Sequence, residues 1–197
     1  MKMKTVLIIL GTILLIFLLV QVVYHFKVQN GIESYPYKAV KSYDKFEIRC
    51  YEASLFTTVK LNSSDYKKAS NEGFSVLAGY IFGGNETNEK ISMTSPVSMS
   101  LEDSTTMMFM VPKKFKKEDL PKPNQSNIEF KEEPAKTVAA ISFGGWANSK
   151  KIESYKNKLK TVLDNEGIAH TNKFYFFGYN APFEIIKRRN EIIVELQ

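Results

Sequence analysis

The chain has 197 residues, with 27 basic and 21 acidic side chains and a net charge of +6. Lys2, Lys4 and Lys27 lie around an apolar N-terminal run, which leaves 24 basic and 21 acidic residues, or +3, from Val28 onward. That excess is too small and too mixed for a nucleic-acid-binding surface, and the single cysteine, Cys50, excludes an internal disulfide framework.

Residues 5–24 read TVLIILGTILLIFLLVQVVY and carry no charge. About 20 such residues, rising about 1.5 Å each in a helix, cover a bilayer core of about 30 Å. A cleaved signal peptide would have a shorter apolar region and a small-residue cleavage site, whereas this run ends in Val22-Val23-Tyr24-His25-Phe26. It is therefore expected to be an uncleaved single-pass anchor, with His25 at the membrane interface. Lys2 and Lys4 precede the span and only Lys27 closely follows it, which favours an inside N-terminus and an extracytoplasmic domain. Residues 1–27 read as the anchor, 28–34 as a linker and 35–197 as one domain, expected to be monomeric.

The domain repeats a pattern. FEIRCYEASLFTTV (46–59) and IEFKEEPAKTVAAI (128–141) align without a gap, pairing Phe46 with Ile128, Glu47 with Glu129, Arg49 with Lys131 and Val59 with Ile141. Each alternates like a half-buried strand, turns, and becomes apolar enough for a second strand. A helix follows the first pair, with Asn62 or Ser63 as cap, Asp65 in its first turn, and Phe74, Leu77, Ala78 and Ile81 at helical spacing. Ile152, Tyr155, Leu159 and Val162 mark a second helix between Asn148 and Gly167. Further strands are expected over 91–99 and 106–111, then over 173–179 and 191–196. The fold class is α+β: ββαββ twice, forming an antiparallel sheet or distorted open barrel with two flanking helices.

The stretch GYIFGGNETNEKISMTSPVSM (79–99) holds glycines and hydroxyls but no histidine, cysteine or aspartate. Gly83 falls just past the last apolar helical residue, where a left-handed conformation ends a helix. The spacing of Gly79 and Gly84 imitates half a phosphate-binding loop, but Asn85-Glu86 follows and the glycines close a helix instead of opening one. Pro96 cannot donate to a ladder, so its strand is expected at an edge or a bulge.

Several segments together resemble the SOUL family of heme-binding proteins. They are Tyr35-Pro36-Tyr37, Phe46-Glu47-Ile48-Arg49, LAGYIFGGN (77–85), EKISMTSPVSM (89–99), MFMVP (108–112), EDLPKP (118–123) and KRRNEIIVEL (187–196). The resemblance spans nearly everything from Ile32 to Leu196. It implies a pseudo-twofold barrel flanked by two helices and tetrapyrrole binding through apolar contact, without a named reaction. Heme is the implied cofactor.

Within that frame, Phe74, Leu77 and Ile81 form the stripe of the first helix expected to be buried or to face a ligand. Met93 and Met99 come from the returning strand, and Phe176, Phe177 and Tyr179 from an aromatic run, KFYFFGYNAPF (173–183), that could lie over a flat ring. The same methionines, with Met107, Met108 and Met110, could instead fill the core or offer soft metal ligands. Lys173, Lys187, Arg188 and Arg189 flank the aromatic run and are the candidate partners for propionates. Arg188-Arg189 could alternatively form a buried fork to Glu47 or Glu129. Some family members place a histidine after the arginine at 49, where an axial role is suggested. Here Cys50 stands there, on the face of Phe46 and Ile48, and is expected to be buried; it is the one weak metal candidate.

His170 is expected in a solvated loop, and no metal spacing or catalytic constellation is evident, so no enzymatic activity is expected. The basic cluster Lys113, Lys114, Lys116 and Lys117 reads as a solvated loop, with contact to lipid headgroups as the other possibility. The functional expectation is a membrane-anchored carrier, buffer or sensor of heme or a related tetrapyrrole. The alternative is the same fold binding another amphipathic ligand or a protein partner.

Overall fold

A computed structural model describes residues 3–29, 31–63, 65–102, 105–181, 184 and 187–197. Helix α1 spans Met3–Gln29, and none of its apolar part, Met3–Val22, is buried among the described residues. Its length and composition suit a membrane span or a signal sequence. The side chain of His25 lies outside the described ones, as do Pro182 and Phe183 of the aromatic run.

Strands β1 (Glu33–Ser34) and β5 (Thr94–Ser95) form a small parallel pair. The expected linker thus ends in a strand. Among the described residues nine strands form one antiparallel sheet. They are β2 (Tyr37–Ser42), β3 (Glu47–Tyr51), β4 (Ser54–Lys60), β6 (Val97–Ser100), β7 (Thr106–Met110), β8 (Ile128–Glu133), β9 (Lys136–Gly144), β10 (His170–Gly178) and β11 (Arg189–Leu196). Their order is β2-β3-β9-β11-β10-β6-β7-β4-β8. The two aligned segments do not close hairpins on themselves. Instead β3 pairs with β9 and β4 pairs with β8, so each segment's first strand joins the other's second. Counted outward from the β10–β6 pair, β11, β9 and β3 lie opposite β7, β4 and β8, and β2 extends one edge with no counterpart.

Helices α2 (Tyr66–Ile81) and α3 (Ser149–Asn165) cover one face of this sheet. Leu77, Ile81, Leu159 and Leu163 pack there on Met107, Phe109, Ile141, Phe176, Ile192 and Val194. On the opposite face Tyr35, Tyr51, Phe56, Met108, Met110, Tyr175, Phe177 and Ile193 form a second cluster. The Tyr35 ring lies 5.1 Å from Phe56 and 6.4 Å from Phe177, and Tyr51 lies 6.0 Å from Phe177. Phe56 and Tyr51 sit on strands near opposite ends of the sheet order, so the sheet must curl around this face to bring them together. The result is a half-barrel whose inside is filled with aromatic rings.

The helix boundaries follow local chemistry. Asp65, not Asn62 or Ser63, caps α2, accepting a hydrogen bond from Lys68 N at 2.9 Å. At the other end Gly83 has φ +110°, and Gly84 N donates to Gly79 O at 2.8 Å. A Cβ on Gly84 would stand 2.6 Å from that same oxygen, so only glycine fits. Asn85 is buried next to this turn, where its amide donates to Tyr80 O and Glu89 O and its Oδ1 accepts from Glu89 N. The 79–99 stretch is therefore a pinned turn. Pro96 does not mark an edge, because the chain changes partners there: β5 pairs with β1, whereas β6 lies inside the sheet between β10 and β7.

The inner face also buries charge. Glu191 is fully buried and accepts from Arg49 Nη1 at 2.8 Å and Nη2 at 3.1 Å. It also accepts from Tyr179 Oη at 2.7 Å, Ser142 Oγ at 2.9 Å and Arg189 Nη2 at 2.7 Å. The expected arginine fork is present with its partners exchanged. Arg49 of β3 and Arg189 both reach Glu191 of β11, Arg49 also bonds Glu47 at 2.8 Å, and Glu129 is exposed on β8. Burial pushes the Glu191 carboxyl up, but the two guanidinium groups and the Tyr179 hydroxyl outweigh it and hold the group below its ordinary 4.5.

Breaking this cluster from one side leaves a buried charge. Glu191→Gln should cost about 3 kcal/mol, or roughly 6–12 °C in Tm, read by thermal unfolding. Arg49→Met with Glu191→Leu should cost less than the sum of the two single changes. Because the folded carboxyl sits below the unfolded one, its stabilisation is complete above about pH 4.5 and is lost as pH falls through the lower folded value. Urea midpoints for wild type should therefore drop on acidification below pH 4.5 more steeply than those of Glu191→Gln.

Candidate functional site

A cavity of about 1020 Å³ lies on the helix-covered face, over the middle of the sheet and between α2 and the start of α3. Small-ligand pockets span about 300–1,000 Å³, so this one is at the large end. One wall is a row of α2 residues at four-residue spacing, Tyr66, Ser70, Phe74 and Ala78, which therefore share one side of the helix. The floor is Met107 of β7, Val97 and Met99 of β6, Phe176 and Gly178 of β10, and Asn190 of β11. Trp146, Ala147, Asn148 and Ser149 form the other wall, where Asn148 caps α3 by accepting from Lys151 N at 2.9 Å. A Cβ at Gly178 would meet the Phe176 ring at 3.4 Å, an ordinary contact.

Aromatic contacts fix these walls. Phe176 lies edge-on to Tyr66 with centroids 5.3 Å apart, and Phe74 leans on Phe109 at 5.5 Å. The Arg188 guanidinium stacks 4.0 Å over Trp146, the chain's single tryptophan, which is 56% exposed. Arg188 Nη1 donates to Ala181 O and Glu184 O, while its buried Nε has no hydrogen-bond partner among the described residues. Burial lowers the Arg188 pKa, and Glu184 works against that shift. Asn190 donates to Gly145 O at 2.8 Å and Phe143 O at 3.4 Å, holding the loop that carries Trp146. Asn180 ties Arg189 N to its Oδ1 at 2.7 Å.

Of the residues expected to hold a ligand, Phe74, Met99 and Phe176 meet in this cavity. Leu77 and Ile81 are buried beneath α2 in the core, and Met93 packs half-buried against the same core. Phe177 and Tyr179 point to the opposite face, because successive strand residues alternate. Lys173 is exposed and pairs with Glu195 at 3.5 Å, and Lys187 is exposed. Arg188 reaches the cavity, whereas Arg189 serves Glu191. Met108 and Met110 belong to the inner cluster, so the methionines divide between the two faces.

Two expectations need correction. Cys50 shares the face of Ile48 as expected but is exposed, since α2 packs on β4 and β7 and α3 on β9, β10 and β11; its Sγ lies 3.5 Å from Thr137 Oγ1. His170 begins β10 instead of lying in a loop, with Nδ1 2.6 Å from Thr171 O and its ring edge-on to Phe174. Among the described residues no three His, Cys, Asp or Glu side chains gather as a metal site. The basic loop is anchored: Lys113 N donates to Glu33 Oε1 at 2.9 Å, and its Nζ pairs with Glu52 at 3.0 Å. Sequence reasoning did not find Tyr66, Val97, Trp146 or Asn190. Trp146 carried a signal as a lone tryptophan between a predicted strand and a helix cap, and Val97 and Asn190 lay within the resembling segments 89–99 and 187–196.

A curled antiparallel sheet, with two helices on its outer face and a large, mainly apolar cavity between them, defines an α+β half-barrel with room for a sizeable organic ligand. The chain belongs to the SOUL heme-binding protein family, which matches residues 32–195. It is 31% identical over 176 residues to heme-binding protein 2 of Mus musculus, covering 83% of this chain and 85% of that one. It is 27% identical over 175 residues to heme-binding protein 1 of Xenopus laevis, covering 83% and 92%. Among solved structures, the EcmrR C-terminal domain superposes with a TM-score of 0.61 at 13% identity, covering 82% of this chain and 98% of that one; this likeness is one of fold.

The cavity wall depends on its caps. Asp65→Ala should remove the α2 N-cap and cost about 1 kcal/mol, whereas Asp65→Asn should cost a few tenths, both measured by urea unfolding.

Proposed function

We propose that the domain binds heme or a related tetrapyrrole in the cavity between α2 and α3, as a membrane-anchored carrier, buffer or sensor with no reaction of its own. The observation that carries this reading is the cavity itself, broad and mainly apolar, in a chain of a heme-binding family. Phe74, Val97, Met99, Phe176 and Trp146 would enclose a flat apolar ring, and Arg188 with the N-terminal end of α3 would face its carboxylates. Bound heme would supply iron for ligand exchange or redox sensing. The cavity's polar side chains support binding over catalysis, since Asp65 and Asn148 are engaged as helix caps and Asn180, Arg188 and Asn190 hold backbone groups. The α1 helix supports the anchor, and the lysines before it support an extracytoplasmic domain.

Hemin titrated into the full chain in nanodiscs, against empty nanodiscs, should give a saturable Soret band at one equivalent and quench Trp146 emission. Trp146→Ala removes an exposed ring with little folding cost and should weaken binding about tenfold, equivalent to about 1.4 kcal/mol of lost stacking. Absorbance that rises without saturation, as in the empty discs, would remove the heme function. Resistance of the membrane-bound chain to alkaline extraction, and protease access to the domain on intact cells, test the anchor and its sidedness.

A further inference from the structure

We propose that Tyr66 would supply an oxygen ligand to the iron of ferric heme held in this cavity. The proposal rests on the heme reading above and names the residue that would carry coordination. Ferric iron is a hard ion, and tyrosinate is among the protein ligands that hold ferric heme. Cys50, the one weak metal candidate of the sequence, is exposed on β3, and His170 starts β10 beside Thr171 and Asp164. Of the cavity's other donors, Asp65 is engaged by Lys68 N, and Met99 and Met107 are soft thioethers buried in the core. The cavity's serines and asparagines are neutral weak donors. Tyr66 remains.

Its place at a helix start gives an anion support that burial opposes. Tyr66 is the first residue of α2, where the unpaired N–H groups of the helix favour negative charge. Its ring is held edge-on by Phe176, which also forms the cavity floor, and the residue is half-buried, so it is positioned without being sealed. Burial raises the pKa of the phenol, while a hydrogen bond with Ser70 one turn along and the charge of Arg188 act against that rise. The same two groups would stabilise the phenolate once bound. Coordination forms an Fe–O bond and breaks the phenolic O–H bond, with the proton passing to solvent and the water or chloride of hemin leaving.

The test compares hemin complexes of the full chain in nanodiscs for wild type, Tyr66→Phe and Cys50→Ala, by absorbance and resonance Raman spectroscopy. Tyr66→Phe keeps the ring and its contact with Phe176, and circular dichroism checks that the fold is retained. Wild type and Cys50→Ala should show phenolate-to-iron charge transfer and phenolate vibrations. Tyr66→Phe should lose both and bind hemin at least tenfold more weakly. Saturable wild-type binding without phenolate signals, or signals that persist in Tyr66→Phe, would overturn the assignment while leaving heme binding intact. An absence of saturable binding by wild type would overturn both.

Discussion

The fold turns on one carboxylate. Glu191 is fully buried on the last strand, and a lone charge there would cost several kcal/mol, so its neighbours must reach it together. Arg49 comes from β3 across β9, Ser142 from β9, Tyr179 from just beyond β10, and Arg189 from two residues before. Arg49 then lies 4.4 Å under the Tyr37 ring and Arg189 lies 4.2 Å under Tyr179. These contacts gather strands that are consecutive in the sheet but remote in sequence, and they fix the curl. With the inside of the half-barrel occupied by this cluster and by packed rings, space for a ligand is left on the helix-covered face.

Alternation along strands makes one segment serve both faces. In the run from Arg188 to Glu191, Arg188 and Asn190 hold the Trp146 wall, whereas Arg189 and Glu191 close the inner face. Phe176 and Phe177 divide in the same way, one on the cavity floor and the other in the inner cluster. The site and the fold are therefore coupled through adjacent residues. A one-residue slip of β10 or β11 would put the wrong set on each side.

What was legible in the sequence was periodicity. The aligned segments, the helical stripe of α2 and the glycine turn after it all follow from local pattern, and each is present as an element. The exchange of strand partners between the two halves was not legible, since pairing depends on which distant strand comes alongside. Cys50 shows the same limit. Its face follows from counting residues, but its exposure depends on how far a helix reaches over β3. The arginine fork was foreseen as a type of contact with the wrong partners, because Glu47, Glu129 and Glu191 are equivalent until the sheet order is known. For the site, Phe74, Met99 and Phe176 were legible as apolar strand and helix positions. Tyr66 and Trp146 were not assigned to it, because nothing local shows that residues eighty apart line one cavity.

Fold likeness alone would not identify a ligand, since structures that superpose at 13% identity share an architecture and little else. A planar ligand is favoured by the cavity's side chains, which are held in different ways. The floor belongs to central strands of a nine-stranded sheet and is locked by packing on both faces. The Trp146 wall instead depends on a guanidinium stack and on hydrogen bonds from Asn190 to a turn where Gly145 has φ +73°. Apolar enclosure of a flat ring needs the rigid floor for orientation and a wall that can adjust to the ring's thickness. Changes in affinity among relatives should therefore track the 145–149 loop and α2, while the floor varies little without loss of the fold itself.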